Sequence, residues 1–120
     1  MAVRAIRGAV QLDVDEREHL LDSTRELVSA VMSGNALTPD DVISILFTAT
    51  PDLRSEFPAV AARELGLGSV PLLCAVEIDV PRAMPRVVRL LAHVDSDLAR
   101  DRVQHVYLRG AVALRRDIAQ

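Results

Sequence analysis

The sequence contains no lysine and no tryptophan, one cysteine, and only three aromatic residues, Phe47, Phe57 and Tyr107. Without lysine there is neither a Schiff-base nucleophile nor a lysine general base, and all 14 basic side chains are arginines. The lone Cys74 excludes an internal disulfide, and its apolar, strand-like setting reads as a small buried hydrophobe before it reads as a nucleophile. His19, His93 and His105 show no metal-ligand spacing, so no metal centre is expected. No apolar run reaches membrane-spanning length, and Arg4 and Arg7 are not followed by a continuous apolar signal segment, so a cytoplasmic protein is expected. A glycine-rich phosphate loop is missing too: "GLG" at 66–68 lacks the rest of any such fingerprint, and none of the seven serines sits in a nucleophile elbow. An enzyme with this inventory would work by binding and electrostatics, not through a covalent intermediate.

What is present is an aliphatic chain of 120 residues, half of them hydrophobic, whose core must be built from Val, Leu, Ile and Ala. That length predicts one domain over 1–120, able to bury roughly 65% of its unfolded surface but not to build two cores. A net charge of −3 with no basic block argues against nucleic acid or anionic membrane as partner. A few arginines can still form a local positive pocket for a small anion.

Apolar and β-branched content predicts a strand over 2–12, "AVRAIRGAVQL". Leu20, Leu21, Thr24, Leu27, Val28, Val31 and Met32 recur at three- and four-residue spacings, which predicts a helix ending near Gly34. "TPDD" at 38–41 has a capping Thr, a Pro at the first helical position and an acid at the third, predicting a helical turn before the strand "VISILFTAT". "TPDLRSEF" is a loop by composition, "PAVAAREL" a short helix from Pro58 to Gly66, and "VPLLCAVEIDV" a strand broken at Pro81. "RVVRLLAHV" and "VQHVYL" complete the strands, and "GAVALRRD" a closing helical turn or tail near 110–120. The pattern predicts an α/β (α+β) domain, a mixed β-sheet with helices packed on it.

Alternation along the first strand puts Val3, Ala5, Arg7 and Ala9 on one face and Arg4, Ile6, Gly8 and Val10 on the other. The bland reading makes both arginines edge solubilisers. Arg89 lies inside an apolar strand and needs a partner; Glu77 in "CAVEIDV" is a candidate, and a structural ion pair competes evenly with a ligand site. Arg63 by itself is a solvated helix residue, and Tyr107 a half-buried ring with its hydroxyl at the surface.

"VRAIRGA", "TATPDL...FPAVAAREL", "VPLLCAVEIDV", "PRVVRLL" and "HVYLRGAVALRRD", in this order across nearly the whole chain, resemble the monofunctional chorismate mutases of the trimeric, barrel-like α/β class. The all-helical class of chorismate mutase would show three long helices, and only one is readable here. The resemblance implies a pericyclic Claisen rearrangement of chorismate to prephenate, toward phenylalanine and tyrosine, with no cofactor and no metal. It also implies a pseudo-barrel homotrimer whose sites lie between subunits.

By the same resemblance Arg89 is the cation that reaches the ether oxygen of the substrate, Arg7 binds the enolpyruvyl carboxylate, and Tyr107 hydrogen-bonds the same group. Glu77 receives the ring hydroxyl, and Cys74 is a pocket residue near that hydroxyl. Leu114 and Arg115 belong to a C-terminal segment that covers the site. The neighbouring subunit contributes Phe57, Ala59, Arg63, Leu72 and Leu73. Val60 stands where some relatives carry lysine and Leu73 where some carry threonine, and "GLGS" is one residue shorter than in some. Strand parity sets Cys74 and Glu77 on opposite faces, so one of them is expected to act through its backbone or a local bulge. Arg4 keeps a structural role: Arg7→Ala should impair turnover, Arg4→Ala mainly folding or assembly. Two rivals are a Rid-type imine deaminase, whose motifs are not recognised here, and a non-catalytic binder of aromatic-pathway metabolites.

Overall fold

Strand β1, Ala2–Gln11, runs antiparallel to β4, Val87–Ser96, and β4 runs antiparallel to β2, Val42–Ala49. Two parallel edge strands complete a mixed five-stranded sheet in the order β3-β2-β4-β1-β5, with β3 spanning Leu72–Val76 and β5 Val106–Leu108. This computed structural model describes residues 1–114, so Arg115 and the rest of the predicted tail lie outside the described residues.

Helix α1, Arg17–Gly34, covers one face of the sheet with Leu20, Leu21, Leu27, Val28 and Val31, the stripe its spacing predicts. Glu16 caps its start by accepting the Glu18 N–H. Its end is held by buried Asn35, whose amide donates to Val31 O and Gln104 O and whose carbonyl oxygen accepts the Gln104 N–H. Gly8 marks the closest approach of α1 to the sheet: a Cβ there would lie 3.1 Å from a Leu27 methyl carbon and 3.3 Å from Leu90 Cγ. The predicted helical turn at 38–41 is a single 3₁₀ turn with the capping box in place, Thr38 N–H donating to the Asp41 carboxylate.

Strand β4 alternates along its length. Val88, Leu90, Ala92 and Val94 are buried under α1, while Arg89, Leu91, His93 and Asp95 face the other way. The described chain measures 39 × 32 × 21 Å, and its short dimension accommodates one sheet and one helical layer. Among the described residues the second face of the sheet is therefore largely open, with cover near Tyr107. Among the described residues no helix is long and apolar enough to cross a membrane.

Three expected elements differ in extent. The strand expected over 70–80 is only Leu72–Val76, because Pro71 cannot donate to the ladder and the chain leaves the sheet after Glu77 N–H bonds Ala49 O. The helix expected from Pro58 is one turn, α2 at Ala59–Ala62, that widens into a π-turn, Arg63–Leu67; Gly66 inside it takes φ 90°, a left-handed conformation that glycine adopts without a Cβ penalty. The polar loop after β4 contains a 3₁₀ turn, Arg100–Arg102, and a longer one follows β5, Arg109–Leu114.

Candidate active site

On the open face the register lines up one row across all five strands: Ala75, Thr48, Arg89, Ala9 and Tyr107. The next row holds Leu73, Leu46, Leu91 and Arg7. Arg7 is thus a diagonal neighbour of Arg89 on the same face, close enough for both guanidinium groups to meet one small anion.

Arg89 and Glu77 form an ion pair, with Arg89 Nε 3.1 Å from Glu77 Oε2 and 3.3 Å from Oε1. The Glu77 side chain is 17% exposed and that of Arg89 40%, so the carboxylate is the more sheltered partner. Because the pairing uses Nε, both terminal nitrogens of Arg89 are left without an acceptor among the described residues. Glu77 also accepts the Thr48 hydroxyl at 2.7 Å. That bond was not read from the sequence, since Thr48 and Glu77 are 29 residues apart and meet only through the β2–β3 register.

The Arg7 side chain has no carboxylate partner among the described residues, while its backbone N–H donates to His105 Nδ1 at 3.0 Å. Burial, and secondarily the Arg7 charge, push the His105 imidazole below its ordinary pKa. A neutral ring with an unprotonated Nδ1 is what that hydrogen bond requires. Arg4 turns the other way, its Nε donating to Leu98 O at 2.9 Å. Tyr107 is buried with Ala9, Val87 and Ala111, against which Met84 and Leu114 pack, so the C-terminal turn lies over this end of the open face.

The remaining expected residues are elsewhere in the single chain. Cys74 pairs with Phe47 in an unbroken β2–β3 register and packs against the main core, on the α1 side. No bulge brings it beside Glu77, so parity separates the two. Phe57 is 67% exposed and lines a groove of about 400 Å³ with Pro58, Cys74, Ala75 and Val76, at the β3 edge. That groove contains neither Arg7, Glu77, Arg89 nor Tyr107. Ala59 is buried in the core, which leaves its backbone as its only means of contact, and Arg63 is exposed at the start of the π-turn. Leu72 leans on the core while Leu73 is 65% exposed on the open side. The structure thus yields two clusters, one on the open face and one at the β3 edge.

The 50–57 loop, part of the second cluster, is tied to residues at the start of α1. Asp15 accepts the N–H groups of Arg54 and Ser55, and Arg17 pairs with Glu56 at 2.9 Å. Burial raises the Asp15 carboxyl, but hydrogen bonds from Ser55 and Arg54 outweigh it and hold the group below its usual range. The Phe57 N–H, then Arg17, do the same for Glu56.

The family model for chorismate mutase type I matches residues 3–118. The chain belongs to this family. It is 46% identical over 117 residues to the chorismate mutase AroH of Thermus thermophilus, covering 97% of this chain and 96% of that protein. The AroH chorismate mutase of Bacillus subtilis is 39% identical over 120 residues, 99% of this chain and 94% of that one. A solved chorismate mutase from Clostridium thermocellum superposes with a TM-score of 0.89 at 40% identity, covering 91% of this chain and 97% of its own. The expected fold, a mixed sheet with helices packed on it, is borne out, and the activity is that of a chorismate mutase, the isomerisation of chorismate to prephenate.

Proposed function

We propose that the chain carries out this isomerisation by restricting the substrate and stabilising charge, at sites completed by a neighbouring copy in a homotrimer. The substrate has two carboxylates, a ring hydroxyl and an enolpyruvyl ether. In the rearrangement a C–O bond breaks while a C–C bond forms in a chair-like transition state, and negative charge develops on the ether oxygen. No proton needs to move. Holding the side chain over the ring lowers the entropic part of the barrier, and a fixed cation beside the ether oxygen favours the transition state over the ground state.

One observation carries this reading: Glu77 holds Arg89 through Nε alone, so both terminal NH2 groups remain for the ether oxygen and a carboxylate. Arg7 and Tyr107 then take the enolpyruvyl carboxylate, Glu77 the ring hydroxyl, and Leu114 covers the bound molecule. Phe57, Ala59, Arg63, Leu72 and Leu73, with Cys74, would complete the pocket at the β3 edge. The separation of the two clusters in one chain supports completion by a second subunit, as does the exposure of Phe57, Leu73, Val76 and Ile78. On this reading the protein works in the cytoplasm, in aromatic amino acid biosynthesis.

The test is to follow prephenate formation from chorismate in metal-free buffer. Wild type should turn over, and Arg89→Ala should lower kcat by about 10²–10³-fold, as for loss of a donor to a developing oxyanion. Arg89→Lys should recover little, because a single ammonium nitrogen lacks the planar fork that holds Glu77 through one nitrogen while aiming two others at the substrate. Near-full turnover by Arg89→Ala would refute the assignment.

A further inference from the structure

Glu77 is the first residue beyond β3, and after its N–H bonds Ala49 O the chain departs into the 78–86 loop. Its carboxylate is therefore carried on backbone that leaves the sheet, by a side chain with three rotatable bonds. Arg89 holds one oxygen: its Nε–H donates to Oε1 at 3.3 Å, a long bond, although Nε lies 3.1 Å from Oε2. Thr48 holds the other. It lies in register between Ala75 of β3 and Arg89 of β4, and its hydroxyl donates to Oε2 at 2.7 Å.

We infer that Thr48 is a positioning residue for the reaction, holding Oε2 while Arg89 holds Oε1, so that the Glu77 carboxylate and the Arg89 guanidinium keep a fixed aim at the substrate. The inference rests on the proposed roles of Glu77 and Arg89. A threonine hydroxyl has one proton, and here it is committed to Oε2. Each carboxylate oxygen keeps a further lone pair with which to accept from the ring hydroxyl. The Thr48 side chain, β-branched and near the end of β2, is itself stiff at χ1. A serine could donate the same bond, a valine could fill the same space without donating, and this separates hydrogen bonding from packing.

The experiment measures steady-state chorismate turnover for wild type, Thr48→Val, Thr48→Ala and Thr48→Ser, with circular dichroism and sedimentation as controls for folding. Loss of one hydrogen bond to a charged group should lower kcat/KM about tenfold in Thr48→Val, mainly in kcat, with Thr48→Ser within about threefold of wild type. Thr48→Ala gives a second hydroxyl-free variant should the valine not fold, and the same loss is expected. Combining Thr48→Val with Glu77→Gln should cost little beyond Glu77→Gln alone, because both changes act on one carboxylate. Wild-type turnover with Thr48→Val or Thr48→Ala unimpaired, with Thr48→Ser as poor as the hydroxyl-free variants, or with fully additive effects overturns the role of Thr48 and leaves the assignment of the site standing. No turnover by wild type overturns that assignment, and the role of Thr48 with it.

Discussion

Arg4 and Arg7 stand three positions apart on one strand, and alternation alone was enough to send them to opposite faces. Which of them is free to meet a ligand was not legible, because the deciding contacts are far away in sequence: Leu98 O accepts from Arg4 Nε across 94 residues, and His105 backs Arg7 across 98. His105 gives this region a pH dependence with a definite sign. Burial, then the Arg7 charge, depresses its folded-state pKa below the unfolded value, so the unfolded chain binds the proton more readily. Its contribution to stability is complete above the unfolded pKa of about 6.5 and is lost as pH falls through the folded value. Thermal unfolding followed from pH 7.5 to 5 should show Tm falling over that window in wild type, and the fall should be shallower in His105→Asn, which cannot take up the proton. Asp15 and Glu56 are depressed carboxylates and act in a lower, separable range, below about pH 4.5. Equal slopes for wild type and His105→Asn between pH 6.5 and 5 would count against the assignment.

At the level of elements, what could be read depended on whether the signal was local. The face of α1 followed from its spacing, and the burial pattern of β4 follows from a strict two-residue alternation that leaves Arg89 on the side away from the helix. The left-handed Arg86, just before β4, had no comparable signal. It is pinned by Leu12, which donates its N–H to Arg86 O and accepts Arg86 Nε, and by Asp52, which accepts the Arg86 N–H. The 50–57 loop was recognisable by composition, but not its anchorage: Asp15 reaches Arg54 and Ser55 across 39 and 40 residues. That anchorage makes the loop a positioned element that presents Phe57. Asp15→Ala removes the acceptor for both N–H groups while leaving Arg7, Glu77, Arg89 and Tyr107 untouched. KM for chorismate should rise about fivefold, roughly 1 kcal/mol, with kcat changed less. Limited proteolysis should cut near residue 54 faster than in wild type. A wild-type KM together with a wild-type cleavage rate would mean that the loop holds its place without Asp15.

Taken as a whole, the described residues put no covering layer over most of one face of the sheet. Leu73, Leu46 and Leu91 run side by side across that face beside Arg7, and Leu73, at 65% exposure, is the most open of the three. The proposed trimer would bury this row against other copies, a gain of about 25 cal/mol per Å² of apolar surface. The same association would bring a β3-edge cluster from one copy to the open-face cluster of another, so assembly and activity should fail together. Leu46→Asp tests the link. Its carboxylate would be a diagonal neighbour of Arg89, so Leu46→Asn, which carries no charge to pair with that guanidinium, is the companion variant and should behave the same way. In an assembled trimer either polar group would be buried in an apolar contact, whereas in a monomer it would remain at the surface. Sedimentation should therefore find Leu46→Asp as a folded monomer with unchanged helix content, and its turnover should fall by at least about 10²-fold, the scale expected when groups that hold the substrate are absent. On the proposed assembly, wild type diluted until it dissociates should lose specific activity in step with the loss of oligomer. A fully active Leu46→Asp monomer would show instead that one chain holds a complete site, and that Phe57 and Leu73 take no part in it.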